Sequence, residues 1–234
     1  MGRVRENSYK GRWKSMELDE IKTRLASLET SCLCDADKSL PVLDPGIRPI
    51  REDLKLIGTA YTATCRNDFL TVIHALGEAE PGDVLVVDGK GGRLALAGEL
   101  FATEAARKGL GGIVVDGAVR DVETLRKLPI PVYARSFCPV SGMTSRLFES
   151  SIPVNCGGIT VNPGDMLFGD QDGIIVSTAE RLSELIPVAE GILQKESEVL
   201  DRMAGGESLI NMFNFEEHLE NVQAGETSTL KFIV

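Results

Sequence analysis

Apolar residues recur at helical spacing in MELDEIKTRLASL, at Leu18, Ile21, Leu25 and Leu28, and acids gather early, where a helix N-terminus favours them. The pattern predicts a helix over 16–28. TSCLCDADKSL, 30–40, reads as a second short helix with Thr30 or Ser31 as its cap. A proline-punctuated loop from Pro41 to Pro49 precedes LIGTAYTATC (56–65), whose alternation and β-branched residues predict a strand. FLTVIHALGEA (69–79) reads as a helix stopped by Pro81-Gly82, and VLVVDG (84–89) as a buried strand. ELFATEAARK predicts a helix over 99–108, followed by strands at 113–116 (IVVD) and in PVYARSFCPVS, 131–141. Leucine and isoleucine spacing over 180–206 predicts one or two long helices, interrupted around Pro187 and ended by Gly205-Gly206. Residues 1–15 read as a loose basic lead, and 208–234 as an acidic C-terminal extension.

This succession of helices and strands is that of an α/β protein. Its 234 residues, 43% of them hydrophobic, suffice for one core of ordinary proportions or two small ones. Twenty-four glycines and few aromatics, 5%, suit tight turns and close backbone approaches. A net charge of −10 opposes phosphate neutralisation, so no nucleic-acid partner is expected. No apolar run reaches the roughly 18 residues of a membrane span, and the basic lead lacks an apolar export segment. A cytoplasmic protein with no membrane partner is the expectation. PGDVLVVDG (81–89) and PGDMLFGDQDGIIV (163–176) echo each other as two similar turn-to-strand entries rather than as repeats.

The five cysteines, Cys32, Cys34, Cys65, Cys138 and Cys156, form no CxxC pair and read as free, mostly buried thiols. The two histidines, His74 and His218, are too few for a histidine-rich metal site, and His74 reads as a helix residue near a site or, the favoured role, as a satisfied core histidine.

Candidate chemistry concentrates in GELFATEAARKGLGGIVVDGAVRD. A helix of ten residues rises roughly 15 Å, and about five extended residues recover that length. Packed antiparallel to the following strand, the helix brings Glu99 back towards Arg120 and Asp121. Gly89, Gly91, Gly92 and Gly98 leave backbone N–H groups accessible at the helix entrance, where an anion is favoured. The GxxxxGK[ST] phosphate loop is absent, and so is the GxGxxG dinucleotide fingerprint. Two acids beside one arginine suit a hard cation such as Mg²⁺ and a developing oxyanion. They equally suit a first-turn acid and a surface ion pair.

Glu99, twenty intervening residues and then Arg120-Asp121 resemble the acid-x20-Arg-Asp motif of the RraA-like family, which includes 4-hydroxy-4-methyl-2-oxoglutarate (HMG) aldolases. PGDVLVVDG, GGIVVDGAVRD, PVYARSFCPVSG and NPGDMLFGDQDGIIV are similar to that family in the same order, over roughly 18–207. The resemblance implies a swivelling β/β/α domain like the phosphohistidine domain over 16–207, with helical extensions, assembled as homotrimers or hexamers. It implies that Asp121 coordinates Mg²⁺ or Mn²⁺, that Glu99 acts on the metal via water, and that Arg120 meets the carbonyl oxygen of a small 2-oxo acid substrate. The substrate carboxylate would rest on amides of Gly98, Leu100, Phe101 and Ala102. Glu196 or Glu198 from a neighbouring subunit would add an acid. The implied activity is class II aldol cleavage of HMG or 4-carboxy-4-hydroxy-2-oxoadipate to pyruvate, with oxaloacetate decarboxylation alongside. Regulators that bind and inhibit ribonuclease E carry the same motif, which leaves that role open.

One stretch departs from the family pattern: Cys34 stands where a Val-Ser-Asp-Ala-Leu stretch has serine, while Asp35 and Ala36 remain. Cys34 reads as a packed small residue. Arg135 and Arg146 are candidates for a second substrate carboxylate, although solvated surface arginines are the simpler reading.

Overall fold

The computed structural model describes residues 17–233, so the basic lead lies outside the described residues. The chain begins with α1 (Leu18–Leu25), α2 (Thr30–Ala36), β1 (Arg48–Pro49) and β2 (Leu56–Thr64), then α3 (Leu70–Glu78) and β3 (Asp83–Asp88). It continues through β4 (Ala95–Ala97), α4 (Glu99–Lys108), β5 (Gly112–Val119), α5 (Val122–Leu125) and β6 (Val132–Phe137). After β7 (Val154–Cys156), β8 (Ile159–Val161), β9 (Met166–Gly169) and β10 (Ile174–Ser177) comes the long α6 (Ala179–Ala204). A 3₁₀ turn (Leu209–Met212) and α7 (Phe215–Gln223) complete the elements.

The main sheet is mixed, in the order β1-β6-β5-β3-β2-β9-β10, with β4 beside β5. Its centre, β2, β3, β5 and β6, is parallel, and the runs VLVV and IVV supply the two-sided burial that central strands need. Alternate residues serve opposite layers. Leu85 and Val87 join a core under α3, α4 and α5, whereas Val84 and Val86 join one under the β7–β8 hairpin. Helices α1, α2 and α6 pack over β9 and β10, around Met166 and Phe168. Hairpin, sheet and helices therefore make three layers.

Several elements differ from what the pattern predicts. The second helix stops at Ala36, the strand at 113–116 extends over Gly112–Val119, and that at 131–141 ends at Phe137. Helix α6 runs unbroken through Pro187, because Leu182, Leu185, Ile186 and Ala189 pack into the core on both sides of it. That burial offsets a cost of about 3 kcal/mol for an interior proline. The C-terminal extension is ordered by a Phe213–Phe232 bridge whose rings stack at 4.4 Å. His74 is not a core residue: α3 buries Thr71, Val72, Ala75 and Leu76, which turns His74 to solvent. Among the described residues no helix is long and apolar enough to cross a membrane.

Candidate functional site

Helix α4 begins without a capping side chain, since its N-cap is Gly98. The carboxylate of Asp121 takes over that role from across the fold: Glu99 N–H donates to Asp121 Oδ2 at 3.2 Å. A Cβ on residue 98 would lie 2.5 Å from that same oxygen and 3.0 Å from Arg120 Cγ, so only glycine leaves room for the acid. Backbone pairing fixes the approach, with Arg120 N–H donating to the Ala97 carbonyl at 3.1 Å where β4 runs beside β5. The chain then turns sharply. Asp121 sits at φ 58°, a left-handed conformation that aspartate tolerates better than most residues and that recurs at functional sites. Arg120 Nε lies 3.5 Å from Asp121 Oδ2, and both side chains are about two-fifths exposed, 41% and 38%.

Glu99, Arg120 and Asp121 are thus brought to one helix end, as chain geometry predicts. Leu100 and Phe101 follow in the first turn, where a helix leaves its N–H groups without intrahelical acceptors. Ala102 is different: its N–H already donates to Gly98 O at 3.1 Å, and its side chain is buried. The glycine loop likewise offers less than its composition suggests. Gly89 N–H donates to the Asp116 carbonyl and Gly92 N–H to the Gly89 carbonyl.

A cleft of about 270 Å³ opens at this point. Gly98, Arg120, Asp121 and Ser141 form its polar end, and Phe69, Ile73, Leu96, Leu100 and Phe101 its apolar wall. Phe69 and Phe101 meet edge to face at 5.6 Å, joining α3 to α4.

Two residues that sequence reasoning missed hold the cleft's loops. Asn67, at φ 54°, accepts from Arg93 N–H and Leu94 N–H at 2.7 and 3.0 Å. Asp68 is 3% exposed and accepts from Leu70 N–H at 3.0 Å, tying down the start of α3. Its other oxygen takes the N–H groups of Ser145 and Arg146, at 2.7 and 2.9 Å, and the Ser145 hydroxyl. Burial raises the Asp68 pKa, but these donors outweigh it and hold the carboxyl below the usual range. The available signal was an aspartate directly before a predicted helix.

The remaining candidates lie elsewhere. Arg135 is not a free surface arginine: it is shared between Asp116 and Asp44 on the hairpin face of the sheet. Arg146 is exposed and does not line the cleft. Glu196 is on α6, where Cys32 Sγ donates to its Oε2 at 3.8 Å, and Glu198 accepts from Gln194 Nε2 at 3.1 Å. Neither lines this cleft in its own chain. All five cysteines are free, and burial raises the thiol pKa of Cys34, and that of Cys65 to about 12. Thiolate chemistry is disfavoured at both.

The oxygen donors at the polar end fit a hard divalent cation, and the space that Gly98 leaves for the Asp121 carboxylate keeps one donor at the cleft floor. Among the described residues no three His, Cys, Asp or Glu side chains converge. A cation would therefore rest on Asp121, with water and substrate completing its shell and Glu99 reaching it through water.

The family model described as "RraA-like: Aldolase/RraA" matches residues 30–176. The chain belongs to the RraA-like family. Among its relatives, the uncharacterized protein MJ0644 of Methanocaldococcus jannaschii is 39% identical over 188 residues, 79% of this chain and 89% of that protein. A protein of Halalkalibacterium halodurans, provisionally named a 4-hydroxy-4-methyl-2-oxoglutarate aldolase, is 36% identical over 162 residues, 68% of this chain and 77% of the relative. The solved structure of the RNA-processing inhibitor RraA from Thermus thermophilis aligns with a TM-score of 0.60 at 33% identity, covering 64% of this chain and 92% of that one.

Proposed function

We propose that this RraA-like protein is a divalent-metal-dependent pyruvate aldolase, a lyase acting on 4-hydroxy-2-oxo acids of the HMG or 4-carboxy-4-hydroxy-2-oxoadipate type. The observation that carries the reading is the meeting of the Asp121 carboxylate, the Arg120 guanidinium and the open end of α4 at one cleft. We also read the three layers as the swivelling β/β/α type.

Asp121 would hold Mg²⁺ or Mn²⁺, with Glu99 acting through water. When bound, such a cation supplies Lewis-acid polarisation of the 2-oxo group. The first-turn amides of Leu100 and Phe101 receive the adjacent carboxylate, favoured there by the helix dipole. Arg120 reaches the carbonyl oxygen and stabilises the negative charge that develops on it. Glu99, exposed in the first turn of α4, would relay the proton of the C4 hydroxyl through water. As that proton leaves, the C3–C4 bond breaks and its electrons pass into the pyruvate enolate. C4 becomes a carbonyl carbon, and protonation of C3 completes pyruvate. Loss of CO₂ from oxaloacetate generates the same enolate, so decarboxylation follows from one site.

Glu196 belongs in this scheme only from a neighbouring copy, which calls for a homotrimer or hexamer. The exposed Leu100, Phe137, Val140, Met143 and Leu147 supply an apolar surface for such an assembly. We expect a cytoplasmic enzyme with no nucleic-acid or membrane partner.

The test is pyruvate release from HMG and oxaloacetate, with Mg²⁺ and with EDTA, by the natural chain and by Asp121→Ala. Activity that needs the metal and vanishes in the variant supports the proposal; full turnover by Asp121→Ala sinks it. The likeness to an RNA-processing inhibitor supports a second reading, a regulator that binds ribonuclease E. Capture of ribonuclease E by a chain that releases no pyruvate would favour that role.

A further inference from the structure

Helix α7 is nine residues long and buries none of them. That is shorter than the roughly 12–15 residues at which an isolated helix becomes even marginally stable in water. Its side-chain ties run to the tail that follows it: His218 Nδ1 lies 2.9 Å from Ser228 Oγ, and Asn214 Oδ1 accepts from Lys231 N–H at 2.7 Å. Phe215, Leu219 and Val222, spaced by four and three residues, make one exposed apolar stripe. Glu216 and Glu220, one turn apart, flank it. The end of α6 is open in the same way, since Leu200 and Met203 are exposed on the side of the helix that carries Glu196.

A second surface has the opposite charge. Arg66, Arg93 and Arg146 come from three loops that Asn67 and Asp68 draw together: Arg66 precedes them, Arg93 N–H donates to Asn67 Oδ1, and Arg146 N–H donates to Asp68 Oδ2. All three arginines are exposed, and among the described residues none has an ion-pair partner. Asp68 is occupied by its own donors, and Glu149 is the one acid between Val140 and Ile152. Val140, Met143 and Leu147 lie exposed on the loop of Arg146. These loops border the cleft, which Phe69, Ala95 and Ser141 help to line.

We propose that α7 of one copy docks on the arginine loops of its neighbour in the homo-oligomer. Glu216 and Glu220 meet the arginines, and the Phe215, Leu219 and Val222 stripe covers Val140, Met143 and Leu147. Opposite charges fix the partner and the register, while the apolar stripe supplies burial that α7 lacks in its own chain. The inference rests on the assembly proposed above and extends it. A neighbour that brings Glu196 to the cleft also brings the end of α6, because Glu196 to Ala204 spans only about 12 Å of helix, and α7 follows within a short turn.

Sedimentation velocity over a dilution series of the full chain reads the assembly. Reversing the acids, by Glu216→Arg with Glu220→Arg, should raise the dissociation constant by about tenfold or more, and so should Arg66→Glu with Arg146→Glu. All four reversals in one chain restore opposite charges at every contact and should recover most of that loss. The substituted residues are all exposed or half-exposed, and thermal unfolding checks that each variant folds. Assembly indifferent to either pair of reversals overturns the proposal, and so does a natural chain that stays monomeric or a loss that the combined chain does not recover. Reversals that change thermal stability but not mass would place the contact within one chain, which overturns it as well. Pyruvate release by the same preparations keeps the two readings apart. Assembly that follows the charges in a chain releasing no pyruvate keeps this interface and removes the aldolase; turnover with assembly blind to the charges does the reverse.

Discussion

Two acid–arginine pairs stand near the ends of the parallel strands, on opposite faces of the sheet. On the hairpin face, Arg135 is held by Asp116 and Asp44, and Asp116 also accepts from Gly157 N–H at 2.6 Å. On the helix face, Arg120 and Asp121 stand 3.5 Å apart, and the Asp121 carboxylate has one further donor, Glu99 N–H. The residue types match, but their remaining bonding capacity does not. A satisfied pair fixes the hairpin to the sheet. A pair with open oxygens and free guanidinium donors can bind something else.

The sharpest way to break this contrast is to truncate each arginine. Arg120→Ala should lower kcat for pyruvate release by about 10²–10³-fold, and Asp121→Ala should abolish it. Thermal unfolding of Arg120→Ala should shift little, because exposed positions of this kind usually contribute within about 0.5 kcal/mol. Steady-state kinetics and calorimetry on the same preparations check both statements.

Gly98→Ala probes how closely the open pair is placed. Its Cβ would meet the Asp121 carboxylate and force it aside, so activity should drop by about 10²-fold and Mg²⁺ binding should weaken. Titration with Mg²⁺ followed by calorimetry separates displacement of the acid from simple loss of folding.

Arg135→Ala should do the reverse of Arg120→Ala. It removes the counter-ion of Asp116, which keeps its bond from Gly157 N–H, so with the arginine 38% exposed the cost in urea unfolding should be about 1 kcal/mol, with kcat little changed. A large kcat loss with unchanged stability would reverse the assignment of the two pairs.

Asp68 gives the effect that depends on pH. Its folded pKa lies below the unfolded value of about 3.9, so its contribution is complete above that pH and is lost as pH falls through the folded pKa. Asp68→Asn turns an NH₂ towards backbone donors and should cost about 1–3 kcal/mol at neutral pH. Unfolding curves of variant and natural chain should then converge in acid. A gap that persists at low pH would contradict this role.

Much of this was legible in the chain, and the gaps have physical causes. The apolar periods of α1, α3 and α4 and the buried runs of β3 and β5 specify their own conformations, so local pattern was enough. Pro187 misled because packing at Leu182, Leu185 and Ile186 overrides a local penalty. His74 misled because one histidine on an amphipathic helix reveals no rotation until the buried stripe is known. Arg135 read as a surface residue because its partners Asp116 and Asp44 stand 19 and 91 residues away. Asp68 was passed over for the same reason: most of its donors come from a loop 77 and 78 residues further on.

The sequence by itself determined the helix and strand periods, the family, and the pairing of Glu99 with Arg120-Asp121 across twenty residues. These depend on side-chain chemistry and on distances that a helix and a strand impose. Only the tertiary structure decided that Gly98 makes room for a carboxylate, that Arg120 is open while Arg135 is occupied, and that the cleft's far wall is apolar. Each of those depends on which atoms from distant segments come within a few ångströms of one another, and no local period encodes that.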